Sequence, residues 1–202
     1  MAGQKTKGEP SCAEPGQGSS RRSVLAGALG LGLTPLAARA GFTATDPSKE
    51  RPQPGDVVVY FAGERKGQPI LAEDLPLGGP QELAYPMDPA TNTIRDGSRL
   101  NQIAVVRVDP EELSEQTAKH AADGVVAYSA FCTHQGCPVS MWDSNKAALL
   151  CSCHASMFDP RNAAQVVGGP APRRLAMLPV TLEDGTVVVA GEFVGSIGIQ
   201  KV

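Results

Sequence analysis

Aromatic residues are scarce in this 202-residue sequence, at 4% of the chain, and there are only three histidines. Glycine and proline are plentiful instead, with 22 and 17 residues. A chain interrupted this often by turn-forming residues favours short strands over a bundle of helices. We therefore expect one mostly β domain, and the length leaves room for a leader in front of it.

The sequence has no basic run of the kind that binds nucleic acid. Its first 40 residues hold five basic and two acidic side chains, a net charge of +3. Because the whole chain carries −3, the remaining residues carry −6. A mildly acidic domain does not attract negatively charged phosphate groups, so we expect no nucleic-acid partner.

The longest apolar run, Val24–Ala38, is too short for a stable membrane span. It has 15 residues with three glycines and a proline, whereas a spanning helix takes about 20 apolar residues. Arg21-Arg22 precedes the run, and Ala38-Arg39-Ala40 follows it as an A-x-A site. Residues 1–40 are therefore predicted to be a twin-arginine signal peptide, or an N-terminal anchor if they are retained. Both readings predict a periplasmic domain, in the second case anchored to the inner membrane.

Polar, proline-rich residues 41–55 are predicted to be a linker, with the domain at residues 56–202. One helix is predicted from Asp109, its N-cap, to Asp123-Gly124, and residues 72–100 have no clear pattern. Gln68–Leu71 is a candidate hairpin partner for the first strand. Strands are predicted at Asp56–Phe61, Gln102–Val108, Val125–Phe131, Val139–Trp142, Ala147–Leu150, Leu175–Leu182 and Thr186–Ala190.

The cysteines and histidines form a cluster. Of five cysteines, four lie within the 22 residues from Cys132 to Cys153, and two of the three histidines lie inside this stretch (His134) or directly after it (His154). They form the segments Cys132-Thr133-His134-Gln135-Gly136-Cys137 and Cys151-Ser152-Cys153-His154. Each segment follows a predicted strand and a predicted hairpin joins them, so both loops are expected at one edge of a sheet. Clustering of this kind indicates metal chemistry.

A structural zinc site is the plainest alternative. Such a site takes four Cys or His ligands in a tetrahedron, and its cysteine pairs are usually two to four residues apart. Zinc would leave two of these six side chains without a role, and Cys151 and Cys153 are separated by a single residue. The pattern therefore favours a larger metal centre.

The two segments resemble the disulfide-containing branch of the Rieske iron–sulfur family, over roughly Val125 to Ala190. This resemblance implies an all-β fold, an antiparallel sandwich or barrel with one short helix. A small cluster-binding subdomain is expected at about residues 130–172. Gly169-Pro170-Ala171-Pro172 is similar to the proline loop that covers the cluster in this family.

The resemblance also implies the cofactor and its ligands. One 2Fe–2S cluster is expected, with Cys132 and Cys151 on one iron and His134 and His154 on the other. Cys137 and Cys153 would form the disulfide, and Ser156 would donate a hydrogen bond to a bridging sulfide. Histidine ligation raises the reduction potential above that of an all-cysteine cluster. We find no second catalytic motif, so this chain is expected to carry single electrons without a substrate-converting site of its own.

Three residues depart from the cytochrome bc pattern: Gln135 replaces an apolar residue at the loop tip, Ala155 replaces a glycine, and Phe158 replaces a tyrosine. With the leader, these departures resemble the small subunit of arsenite oxidase. The primary expectation is therefore an electron-transfer subunit of an exported oxidoreductase, with a larger molybdenum subunit and a cytochrome acceptor. The alternative is the Rieske subunit of a quinol:cytochrome c oxidoreductase, beside a cytochrome b, which the proline loop favours. Ring-hydroxylating ferredoxins are disfavoured, because they lack the cysteine pair.

Overall fold

The computed structural model describes residues 46–199, which form twelve strands and one short α-helix. The predicted leader and residues 41–45 of the predicted linker lie outside the described residues. No helix in the described range is both long and apolar enough to cross a membrane. The elements are β1 Val57–Tyr60, β2 Glu82–Asp88, β3 Thr93–Ile94, β4 Ile103–Arg107, α1 Glu115–Ala118, β5 Val125–Ser129, β6 Val139–Asp143, β7 Ala148–Cys151, β8 Met157–Asp159, β9 Gln165–Gly168, β10 Met177–Leu178, β11 Val180–Glu183 and β12 Thr186–Val189.

The larger sheet is antiparallel and rolls into a nearly closed barrel. Its strand order is β10-β5-β4-β2-β1-β12-β11, with β3 paired to β2. The two end strands, β10 and β11, are separated in sequence by Pro179 alone. Proline has no N–H to donate and interrupts a ladder, so the strand predicted at Leu175–Leu182 is divided into two. Its halves pair with opposite ends of the sheet, and the mostly β prediction is confirmed.

Strands β4 and β5 form a wall between two apolar cores. Ala104 and Val106 on β4 face one core, whereas Ile103 and Val105 face the other. Alternation of this kind follows from the two-residue period of a strand. Because both faces are covered, β4 and β5 read as nearly continuous runs of apolar residues.

A second, four-stranded sheet has the order β6-β7-β8-β9 and is also antiparallel. It lies within the predicted 130–172 subdomain. Leu149 and Phe158 lie opposite each other on β7 and β8. Both are fully buried in the same core as Cys132 and Cys151. The small sheet therefore shares a core with the barrel wall.

Strand β2 was not anticipated in the unassigned residues 72–100. Pro86 lies inside it and argues against a strand when only the sequence is considered. In the structure, β2 pairs with β1 through Pro86 and beyond, but its pairing with β4 covers only Glu82–Ala84. The missing N–H of the proline therefore falls outside the doubly paired part of the strand.

The predicted continuous helix from Asp109 to Asp123-Gly124 is wrong. A 3-10 turn, Pro110–Glu112, is followed by α1, which ends at Ala118. Tertiary bonds compete with a longer helix: the Ser114 N–H donates to the Arg161 carbonyl at 2.9 Å. Asp123 and Gly124 both have positive φ, at 48° and 77°, and they make the turn that precedes β5.

Residues 46–55 of the predicted linker are fastened to the domain. Buried Arg95 donates to both carboxylate oxygens of Asp56, at 2.6 and 2.9 Å, and to Glu50 at 3.1 Å. The Asn101 side chain donates to the Glu50 carbonyl at 2.7 Å. A buried ion pair is costly to break because one charge would remain unpaired, so this segment is part of the folded unit.

A tyrosine connects the barrel to the segment that follows β8. The Tyr128 hydroxyl, fully buried on β5, donates to the Pro160 carbonyl at 2.6 Å. Burial raises the pKa of Tyr128 well above its usual value, so the hydroxyl remains a donor at neutral pH.

We predict that Tyr128→Phe lowers the free energy of unfolding by about 1–3 kcal/mol, because the Pro160 carbonyl would lose its partner. Tyr85→Phe is the matched control, since the Tyr85 hydroxyl has no hydrogen-bond partner within residues 46–199. This control should change stability by less than about 0.5 kcal/mol. Urea unfolding followed by circular dichroism gives both values, and equal losses in the two variants would contradict the assignment.

Candidate metal centre

The first cysteine-histidine segment forms a tight loop just after β5. The Cys132 N–H donates to the Cys137 carbonyl and the Gly136 N–H to the Cys132 carbonyl, both at 2.9 Å. Phe131 and Pro138 pair across the base of the loop. The backbone therefore closes on itself directly after β5.

The second segment begins at Cys151, the last residue of β7, and lies against the first loop. The Cys151 N–H donates to the Ser156 carbonyl at 2.9 Å, which closes the second loop. The Ser152 N–H donates to the Pro138 carbonyl at 3.1 Å. The hairpin of β6 and β7 thus brings both segments to one edge, as the sequence predicts.

The four clustered cysteines form two pairs of different character. Cys137 and Cys153 are joined by a disulfide. Cys132 and Cys151 are free thiols that are 1% and 2% exposed, and they are neighbours in the fold. One pair therefore ties the loops together, and the other offers two adjacent sulfur atoms in an apolar core.

The two histidines of the segments also lie together. Their ring centroids are 4.8 Å apart and the rings are nearly perpendicular, at 85°. His134 is half-buried, and its Nδ1 atom is buried without a hydrogen-bond partner. His154 is exposed. A buried ring nitrogen without a partner is costly, and a metal ion is one group that would satisfy it.

The surroundings of Cys132 act on its thiol in two directions. Burial raises the pKa of Cys132, and the neighbouring Cys151 thiol acts in the same direction. The backbone N–H of His134 and the hydroxyl of Ser156 hydrogen bond to the sulfur and lower this pKa. Metal binding requires the thiolate, and these two donors favour that form.

Ser156 is fully buried and connects the second loop to the proline loop. Its oxygen accepts a hydrogen bond from the Ala171 N–H at 3.1 Å. The hydroxyl proton is therefore left for the Cys132 sulfur. This places the predicted Gly169–Pro172 loop directly against the side chain that supports a candidate ligand.

Within residues 46–199, no three Cys, His, Asp or Glu side chains converge as one metal ion would require. A two-iron cluster makes a different demand, because each iron takes two protein ligands. The thiol pair Cys132–Cys151 and the imidazole pair His134–His154 provide two such sets. The donor set and the partnerless Nδ1 atom therefore fit a mixed-ligand diiron centre.

Comparison with known proteins agrees with this geometry. Residues 81–179 match the family model of the Rieske [2Fe-2S] domain. The cytochrome bc1 complex Rieske iron-sulfur subunit of Streptomyces lividans is 31% identical over 138 residues, covering 65% of this chain and 79% of that protein. This chain belongs to the Rieske family. It accordingly carries one Rieske 2Fe–2S cluster and is an electron-transfer protein.

Other relatives differ from this Rieske protein in length. The bc1 Rieske subunit of Mycobacterium tuberculosis H37Rv is 31% identical over 163 residues, but the match covers 69% of this chain and 38% of that protein. Among solved structures, the plasma membrane Rieske protein PetC3 of Synechocystis PCC 6803 has a TM-score of 0.36, 21% identity and coverages of 54% and 84%. The ferredoxin of carbazole 1,9a-dioxygenase from Nocardioides aromaticivorans has a TM-score of 0.42, 17% identity and coverages of 61% and 95%.

Three residues near the Rieske loops were not identified from the sequence. Buried Thr133 donates to the Arg173 carbonyl at 2.6 Å, and Arg99 donates to the Gly136 carbonyl at 3.2 Å. These pairs are 40 and 37 residues apart, and no local pattern signals such contacts. One local signal is present in the sequence: Arg173 and Arg174 directly follow the proline loop.

Two substitutions should shift the reduction potential in opposite directions. Ser156→Ala removes a donor to the Cys132 sulfur, which should lower the potential because hydrogen bonds stabilise the more negative reduced state. Phe158→Tyr introduces a hydroxyl into the core that contains both free thiols, and we expect the potential to rise by tens of millivolts. Protein-film voltammetry measures both shifts. Shifts of the same sign would contradict this account of the sulfur environment.

Proposed function

We propose that this chain is the Rieske subunit of a quinol:cytochrome c oxidoreductase, where it passes electrons from a quinol to a c-type cytochrome. The observation that carries the proposal is the imidazole pair at one edge of the domain, with His154 exposed. Support also comes from the relatives, which are named as cytochrome bc1 subunits. Because the chain spans only 38% of the length of the mycobacterial relative, this activity remains a proposal.

The chain's own residues would divide the work between holding the cluster and meeting a partner. When bound, the cluster accepts and releases one electron at a time at the raised potential that histidine ligation gives. Cys132, Cys151, His134 and His154 would hold it, and the buried Nδ1 atom of His134 is free to serve as a ligand. The exposed His154 ring can accept a hydrogen bond from a quinol hydroxyl.

A second candidate is the electron-transfer subunit of an exported molybdenum oxidoreductase. It is favoured by Gln135, which is polar and exposed at the tip of the first loop. A polar amide suits an aqueous protein interface better than an apolar quinol pocket. The named relatives support the first candidate, with a cytochrome b as the partner.

We propose further that the domain works in the periplasm after twin-arginine export. The Cys137–Cys153 disulfide supports this location, because structural disulfides persist in oxidising compartments. A cofactor assembled in the cytosol also calls for a pathway that carries folded proteins. Arg21-Arg22 and the A-x-A site lie outside the described residues, so their support for export comes from the sequence alone.

Export is tested by changing the arginine pair conservatively. Arg21→Lys with Arg22→Lys should leave most of the protein in the cytosol, because the pathway reads the arginines themselves. The matched control is Lys5→Arg with Lys7→Arg, which keeps the leader's charge. Cell fractionation and immunoblotting measure the distribution, and unchanged export of the first variant would contradict the proposal.

Docking of the loop tip is tested at Gln135. In membranes of the source organism, Gln135→Glu should slow quinol:cytochrome c turnover several-fold, because a charge would enter an apolar pocket. Gln135→Leu should retain turnover. Gln68→Glu, at an exposed position beside β1, is the control for added charge. The EPR signal of the cluster should be unchanged in all three variants.

The same membranes distinguish the two candidates. Co-purification of the chain with b-type haem supports the quinol:cytochrome c assignment. Co-purification with molybdenum in the absence of b-type haem would overturn it in favour of the second candidate.

A further inference from the structure

The last described residues, Ser196–Ile199, form a short strap over the first metal-binding loop. The strap follows Val194, which exchanges two backbone hydrogen bonds with Met177 on β10, at 2.7 and 3.0 Å. From this pairing the chain crosses to the loop of Cys132–Cys137. The strap is therefore anchored at the barrel before it reaches the loop.

The Phe131 ring is enclosed between the loop and the strap. A Cβ atom on Gly136 of the loop would lie 2.6 Å from this ring, and a Cβ atom on Gly198 of the strap would also lie 2.6 Å from it. Both glycines have positive φ, at 72° and 65°. Only glycine allows this approach from both sides without displacing the ring.

Arg99, from a different part of the chain, contacts both the Phe131 ring and the loop. Its guanidinium carbon is 5.1 Å from the centre of the Phe131 ring, and it donates to the Gly136 carbonyl at 3.2 Å. The ring therefore contacts the loop, the strap and a cation, so its position and the position of the loop depend on each other.

Arg173 connects the strap to the loop through both its backbone and its side chain. Its carbonyl accepts the hydroxyl of Thr133, which lies between Cys132 and His134, at 2.6 Å. Its guanidinium donates to the Ser196 carbonyl at 2.5 Å and to the Gly198 carbonyl. A planar fork that bridges two carbonyls is a geometry that arginine provides and lysine does not reproduce.

The side chain of Arg173 makes these bonds without a carboxylate partner. None of the ion pairs within residues 46–199 includes it. Its donors go to backbone carbonyls of a segment that has no regular secondary structure. This guanidinium therefore holds two backbone carbonyls of the strap, those of Ser196 and Gly198.

We infer that Arg173 is a positioning residue for the metal centre: it holds the strap over Phe131 and thereby keeps Cys132 and His134 at their spacing in the first loop. The inference rests on the cluster and not on the identity of the partner complex. Its failure and the failure of the proposed function are therefore separate results.

Three variants of the full chain test this role. Arg173→Gln removes the charge and the fork, Arg173→Lys keeps the charge, and Arg174→Gln removes one charge from the adjacent position. We expect both Arg173 variants to release iron to a chelator several-fold faster and to broaden the EPR signal of the reduced protein. Arg174→Gln should match the wild type. The inference would be overturned if Arg173→Lys released iron like the wild type while Arg174→Gln released it as fast as Arg173→Gln. That result would mean that only the charge matters.

Removal of the strap provides an independent test, including the case in which Arg173→Gln assembles no cluster. Deletion of residues 196–202 with Arg173 retained should also accelerate iron release and broaden the EPR signal. Arg173→Gln in that background should add nothing further, because both changes remove one interaction. A truncated protein with wild-type iron release, or full additivity of the two changes, would overturn the inference.

Discussion

Two free thiols lie side by side in an apolar core, and the rest of the site is arranged around them. Cys132 and Cys151 come from different strand ends, and burial raises the pKa of the Cys132 thiol. A Rieske cluster requires them as thiolates. The His134 backbone and the Ser156 hydroxyl supply donors to the Cys132 sulfur, and the proline loop holds Ser156 in place through Ala171.

The barrel supports this arrangement through shared packing. Strands β4 and β5 separate the two cores, and the core on the cluster side contains residues of both sheets. The Tyr128 hydroxyl connects the barrel to the segment after β8, and the Cys137–Cys153 disulfide adds a covalent link between the two ligand loops. Loop-closure entropy gives a disulfide over this separation of 16 residues a worth of about 3 kcal/mol. The ligand loops are thus held on a stiff base.

The exposed edge of the domain differs in character from its base. His154 and Gln135 are exposed, whereas Cys132 and Ser156 behind them are buried. A buried sulfur side and an exposed imidazole side give the centre one direction of access. A protein that transfers electrons needs an exposed face of this kind. The residues around the exposed imidazole determine which partner protein can dock there.

Local patterns in the sequence determined the chemistry and most of the strands. The spacing of four cysteines and two histidines indicated a Rieske centre, because few metal sites take matched cysteine and histidine side chains from two separate loops. Short runs rich in apolar residues predicted β1, β4, β5, β6, β7 and β12 close to their observed bounds. The turn at Asp143 was also predictable from the sequence. The Asp143 carboxylate accepts hydrogen bonds from the backbone N–H groups of Asn145 and Lys146, two and three residues away.

Only the tertiary structure decided the features that depend on distant contacts. Pro86 lies inside β2 because pairing with β1 continues through it, and Pro179 splits one predicted strand so that its halves close the barrel. The predicted helix was cut short by bonds to Arg161 and Ala163. Thr133, Arg173 and the strap meet across tens of residues, and such contacts follow from the packing of whole sheets, which no short stretch of sequence encodes.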